Sequence, residues 1–120
     1  MKKHTKKTKR LRRHRRITSR IHAFRGAGKP RLVVFRSLKH ISCQLIDDEK
    51  GITLAFASDK EVKNTKGKKP LEISREVGKL LAEKALKQNI KQGVFDRAGY
   101  AYHGKVKEIA EGAREAGLQL

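Results

Sequence analysis

RLVVFRS, Arg31 to Ser37, is the most strand-like run in the chain, and both of its alternating faces are apolar. Side chains alternate along a strand, so such a run belongs in the interior of a sheet covered on both sides. The next two runs are more regular. ISCQLI (Ile41 to Ile46) sets Ile41, Cys43 and Leu45 on one face and Ser42 and Gln44 on the other, and Ile52, Leu54 and Phe56 alternate in the same way in ITLAFA. The links Ser37 to His40 and Asp47 to Gly51 are short enough for hairpins, which predicts a three-stranded antiparallel meander.

After a basic, glycine-containing loop, Asn64 to Pro70, the apolar period changes. Ile73, Val77, Leu80, Leu81 and Ala85 recur at helical spacing, and Pro70 suits a first helical position, where no amide hydrogen is needed. Gly93, Val94 and Phe95 give a short fourth strand. A helix of about 18 residues separates it from the meander, so it is expected to return parallel to the first strand by a right-handed crossover. The last helix turns Val106, Ile109, Ala110 and Ala113 inward, and Gly117 stops it. The expected fold class is α/β, in the order β-β-β-α-β-α, with helices covering a mixed sheet.

What precedes the meander has a different composition. No acidic residue appears before Asp47, so residues 1–46 hold 16 of the 31 Lys and Arg with no compensating charge, whereas the remaining 15 face all 12 acids for a net of +3. From Met1 to Arg16 almost every residue is Lys, Arg, His or Thr, too polar to offset the entropy of ordering a backbone. This arm is expected to be disordered alone. Ile17, Ile21 and Phe24 fall on one face of a short helix that a partner would stabilise, and Gly26, Gly28 and Pro30 mark the start of the folded body. The organisation expected is a basic arm over residues 1–25 and one domain over 26–120. Surplus positive charge of this size calls for a polyanion, and a nucleic-acid backbone is the commonest in a cell.

Other classes find less support. The longest apolar run, Leu32 to Phe35, is far short of the ~18 residues of a membrane span, and no apolar stretch follows the basic start as a signal peptide requires. The protein reads as soluble and intracellular. The arm lacks the sustained amphipathic face of a membrane-active peptide. A nuclease on such a sheet would need carboxylates converging on metal ions, but the candidates Asp47, Asp48, Asp59 and Asp96 leave the RLVVFRS strand without one. Cys43, the single cysteine, is in phase with Ile41 and Leu45 as a core residue, and with His4, His14, His22, His40 and His103 it makes no metal-ligand spacing. Neither a metal nor a cofactor is expected. KGKK (Lys66 to Lys69) lacks the spacing of a nucleotide-binding loop, and a basic loop facing phosphates accounts better for Lys66, Lys68 and Lys69. FDRAGYAYHGKVK (Phe95 to Lys107) sets Arg97, Tyr100, Tyr102, His103 and Lys105 around two glycines. That composition fits stacking against irregular RNA, and equally tyrosines that cap the core.

RLVVFRS, HISCQLIDD (His40 to Asp48), FDRAGYAYHGKVK, the ending AREAGL and the basic RLRRHRR (Arg10 to Arg16) together resemble the bacterial ribosomal protein L18 family over essentially the whole chain. The resemblance implies a ribonuclease-H-like α/β body without enzymatic activity and an arm that docks on RNA. It implies a cytoplasmic, ribosomal protein that binds 5S rRNA, attaches it to 23S rRNA in the central protuberance of the large subunit, and meets neighbouring ribosomal proteins there. Carried onto this sequence, the RNA-facing arm residues are Lys6, Lys7, Lys9, Arg10, Arg12, Arg13, His14, Arg15, Arg16 and Arg20. In the body they are Arg31, Arg36, Lys39, His40, the KGKK lysines, Arg97, Tyr102, His103, Gly104 and Lys105. A general RNA chaperone or another basic nucleic-acid-binding protein is the alternative.

Overall fold

The structure, a computed structural model, describes residues 9–16, 29–63 and 65–120. Strands β1 (Arg31–Arg36), β2 (Ile41–Asp47), β3 (Ile52–Ser58) and β4 (Val94–Asp96) form one sheet in the order β3-β2-β1-β4. The first three are antiparallel neighbours and β4 lies parallel beside β1, so the mixed sheet has the expected topology. Residues 9–16 form helix α1, followed in the body by α2 (Pro70–Lys87) and α3 (Gly104–Glu115).

Local chemistry explains the boundaries. The first hairpin closes through Ser37, whose amide donates to His40 O at 2.9 Å and whose Oγ accepts from His40 N at 3.1 Å. In the second, Asp47 Oδ1 accepts from the amides of Glu49 and Lys50. Pro70 opens α2, and Glu72 Oε2 accepts from the Lys69 amide, satisfying one donor at the helix start. Gly117, at φ +111°, ends α3 while Leu118 N donates to Ala113 O and Gly117 N to Arg114 O, the paired bonds of a Schellman stop.

One sheet face carries the core. Leu32, Val34, Cys43 and Leu45 are fully buried with Val77, Leu81, Val106 and Ile109 of the two body helices. On β3 the inward face differs from the one expected. Ala57 pairs with Cys43 and Ala55 with Leu45, so the alanines point inward while Ile52 and Phe56 are exposed. The reason is space: α2 lies close to this edge strand, near enough for Lys84 Nζ to bond Phe56 O and Gln88 Nε2 to bond Leu54 O, each at 2.6 Å. Small residues permit that approach, and the two side chains occupy strand carbonyls that an open edge would present.

The body helices approach each other through glycines. A Cβ on Gly78 of α2 would strike Ile109 O, and one on Gly112 of α3 would strike Arg75 O. At this crossing backbone rests on backbone, and across its rim Arg75 bonds Glu108 at 3.0 Å and Glu115 at 2.7 Å.

Within the expected arm, residues 9–16 form α1, whose Arg10, Arg13 and His14 side chains meet acceptors more than 80 positions away, described below. Met1 to Thr8 and the expected helix over Ile17 to Phe24 lie outside the described residues, as do Lys6, Lys7 and Arg20.

Candidate nucleic-acid interface

The second face of the sheet carries Arg31, Val33 and Phe35 from β1, and the parallel register sets Asp96 beside Val33. Val33 is buried, so this part of the face is covered, while Phe35 is exposed. The expectation that RLVVFRS is enclosed on both sides holds for its first half only. The turn after β4 projects from the same place. Ala98 and Gly99 take left-handed backbone at φ +55° and +80°, and the Ala98 amide donates to Asp96 Oδ1 at 2.8 Å.

Helix α1 sits on that turn. His14 Nε2 is 3.0 Å from Asp96 Oδ2, Arg13 Nε donates to Gly99 O at 3.1 Å, and Arg10 Nη1 donates to Ala98 O at 3.1 Å. The Arg10 guanidinium also lies 4.5 Å from the centre of the Tyr100 ring, a cation–π contact. Gly99 is where the helix touches the turn: a Cβ there would meet Arg10 O and His14 N. Only glycine suits both that proximity and that φ.

Asp96 is the centre of the charge arrangement. Its fully buried carboxylate also accepts from Arg31 Nη1 at 2.6 Å, and Arg31 bonds Asp48 through Nε and Nη2, both at 3.2 Å. Burial alone would lower the Arg31 pKa, but the hydrogen bonds to Asp48 and Asp96 outweigh it and hold the pKa above its ordinary value. A buried carboxylate with this many donors is a compensated charge.

The remaining expected residues divide by what they touch. Lys9, Arg12, Arg15 and Arg16 of α1 are exposed, and so is Arg13 despite its bond to the turn. Arg36, Lys39, Lys66 and Lys69 are exposed too, whereas Lys68 reaches Glu76 at 3.4 Å. His40 Nδ1 lies 3.2 Å from Asp59, which also accepts from the Ile41 amide and so props the end of the first hairpin. Arg97 donates to Tyr100 O, and the Tyr100 hydroxyl donates to Arg36 O at 3.0 Å, tying the turn to β1. Tyr102 packs edge-on against Phe95 with ring centres 5.8 Å apart and accepts a 2.8 Å bond from Arg114. Tyr100 is partly buried against the core, whereas Tyr102 is exposed and touches the core-packed Phe95 by its ring edge. His103 precedes α3, and with Arg36, Tyr100, Gly104 and Lys105 it lines an open basic cleft at the start of that helix.

The sequence offers Asp96 only as one of four candidate carboxylates for a nuclease, and it offers no role for Ala98 or Gly99 in seating the arm. A lone acid ending an apolar strand, in a chain whose arm carries no acid, was the available signal.

The four acids weighed for catalysis are separated in function. Asp47 braces a turn, Asp48 and Asp96 bond Arg31, and Asp59 bonds the first hairpin. Among the described residues no group of three or more His, Cys, Asp or Glu is disposed to hold a metal ion, and no helix is long and apolar enough to cross a membrane.

A polycationic helix seated on an α/β body, with its outer arginines exposed, is the arrangement to set beside known proteins. The family model described as ribosomal L18 of archaea, bacteria, mitochondria and chloroplast matches residues 4–120. The chain belongs to the ribosomal L18 family. Proteins named large ribosomal subunit protein uL18 match it closely. That of Thermus thermophilus is 56% identical over 91% of this chain and 93% of its own. The Brachyspira hyodysenteriae protein is 52% identical over 95% and 94%, respectively, and the Thermotoga petrophila protein 51% over 100% and 99%. In this member of the L18 family the matched span takes in α1, so the helix and the turn beneath it fall inside the family region.

Proposed function

We propose that this L18-family protein is a structural, non-enzymatic constituent of the large ribosomal subunit in the cytoplasm. In this reading it binds 5S rRNA and attaches it to 23S rRNA in the central protuberance, beside neighbouring ribosomal proteins. The observation that carries the reading is the exposed row Arg12, Arg15 and Arg16 on a helix fixed to the body. Guanidinium groups suit bidentate phosphate contacts, and their release of counterions supplies affinity. Arg36, Lys39, His103, Gly104 and Lys105 extend the basic surface, where the fixed shape of the body selects one RNA geometry among many. The basic arm comprises residues 1–25 and the rRNA-binding domain residues 26–120, with α1 as the docked part of the arm.

The test is a nuclease footprint on 5S rRNA combined with competition by unrelated structured RNA. A discrete footprint that resists competitor supports the reading. A general RNA chaperone would give diffuse protection, equally displaced by any RNA, and that result would replace the 5S-specific role.

A further inference from the structure

The basic surface described so far gathers at one end of the sheet, around Arg36, Lys39 and His103. At the opposite end an open cleft of about 490 Å³ lies between the second hairpin, the link from α2 to β4 and the residues that lead into β1. Pro30, Leu54 and Ile90 line it with half-buried apolar surface, and Lys29, Lys50 and Lys91 are exposed around it. Its walls are tied together by bonds of the body itself. Gln88 Nε2 holds the Leu54 carbonyl, Val94 N donates to Pro30 O at 2.9 Å, and Gln119 N donates to Lys91 O at 2.9 Å. Asn89 takes left-handed backbone at φ +61° after α2, and Ile90 N donates back to Ala85 O, so the link is folded onto the helix end. A cleft fixed in this way is formed before any ligand arrives, which spares the binding step an ordering cost.

The charge in this cleft is uncompensated. Lys68, Lys79 and Lys84 each reach a glutamate, whereas among the described residues Lys29, Lys50 and Lys91 reach no carboxylate. Asp47 also lines the cleft, but its Oδ1 already accepts from the amides of Glu49 and Lys50. Cations from three separate segments around apolar surface suit a nucleic-acid strand, with phosphates on the ammonium groups and a base against the apolar lining. Asn89 and Gln92 set amides beside it, and since Gln92 Nε2 donates to Gln119, the Gln92 oxygen is left to accept from a base edge. The volume is within the ~300 to 1,000 Å³ of small-molecule sites, which gives room for one extruded nucleotide. Pro30 precedes β1 and Arg36 ends it, so the two basic ends stand about 20 Å apart at ~3.3 Å per residue. We propose that this cleft is a second RNA site, taking an unpaired nucleotide of 23S rRNA while the opposite end of the body holds 5S rRNA. The proposal rests on the RNA-binding reading given above and assigns a surface to the attachment step. One rigid body then holds two RNAs that do not compete for the same residues.

The first measurement uses the full chain with Lys29→Gln, Lys50→Gln and Lys91→Gln combined. All three are surface changes, and an unchanged thermal midpoint checks that the body is intact. Binding is measured at about 0.15 M salt, where fields are screened over ~8 Å and the changes do not reach the far end of the sheet. Affinity for 5S rRNA should stay within about twofold of wild type, while association of the protein–5S rRNA complex with 23S rRNA should weaken by about tenfold or more. Equal losses on both RNAs, or an undiminished association with 23S rRNA, would overturn the second site.

The second measurement needs no variant. Amine acylation of Lys29, Lys50 and Lys91 is followed by mass spectrometry in the free wild-type protein, with 5S rRNA, with both rRNAs and in the complete large subunit. The lysines should react in the first two states and be protected in the last two. Protection by 5S rRNA alone makes the occupant 5S rRNA, protection only in the complete subunit makes it a protein, and reactivity throughout leaves the cleft unused; each of these overturns the proposal. Failure of the wild-type protein to bind 5S rRNA would instead strike the reading it rests on. The cleft is then judged with 23S rRNA alone, where protection of the three lysines upholds it and full reactivity overturns it.

Discussion

The Asp96 carboxylate meets His14 Nε2 at 3.0 Å across 82 positions of sequence, and the same oxygen accepts a 2.6 Å bond from Arg31. One side chain at the end of a three-residue strand therefore joins the arm, the central strand and the turn that carries the arm. Replacing it leaves Arg31 with Asp48 alone and the Ala98 amide without its acceptor. Asp96→Ala is expected to destabilise the protein by about 3 to 5 kcal/mol, the usual penalty for breaking a buried, hydrogen-bonded charge arrangement. Urea unfolding measures it, and a loss under about 1 kcal/mol would mean that solvent readily replaces the carboxylate.

The α2–α3 crossing gives a second expectation. Gly78→Ala adds a methyl group against the Ile109 carbonyl, and overpacking of this kind costs about 1 to 3 kcal/mol, more than the ~1 kcal/mol that alanine's helix preference returns. Thermal melts of Gly78→Ala and Gly112→Ala should both shift down. A rise in either midpoint would show that the helices separate without penalty.

Cys43 is a buried core residue, and burial pushes its thiol pKa well above the ordinary 9.0. The folded state thus keeps a proton that the unfolded state releases in alkali, so this contribution is present at low pH and fades as pH rises past about 9. Ellman's reagent at about pH 8 should find no reactive thiol until denaturant is added, because the thiolate is the nucleophile. Rapid labelling of the native protein would contradict that burial.

On the helix rim, hydrogen bonds from Arg75 and then Lys79 hold the Glu115 carboxyl below its ordinary pKa of 4.5. A depressed acid stabilises the fold above its unfolded pKa and loses that contribution as pH falls through the folded value. Glu115 is exposed, so the effect is small and weakened by salt. Unfolding midpoints compared at about pH 6 and about pH 3 should differ less in Glu115→Gln than in wild type. Equal differences in the two proteins would assign the acid sensitivity to other carboxylates.

The sequence by itself determined the order of elements, the antiparallel meander, the parallel fourth strand and the helix limits at Pro70 and Gly117. All of these rest on local signals, namely apolar period, turn residues and chain length between strands. It also determined the charge division at Asp47 and, through its motifs, the family. Which residues of β3 face inward was a tertiary decision: alternation fixes two faces without saying which is buried, and the close passage of α2 selected Ala55 and Ala57 over Ile52 and Phe56. Tertiary structure likewise sorted the arm. In sequence Arg10, Arg12, Arg13 and Arg15 are equivalent cations, and composition argues against any order among them. Folding brings Asp96, Ala98, Gly99 and Tyr100 beneath one side of the helix, where a buried carboxylate, two carbonyls and an aromatic face take up its charge. Those acceptors lie more than 80 residues from their donors, beyond the reach of any local pattern.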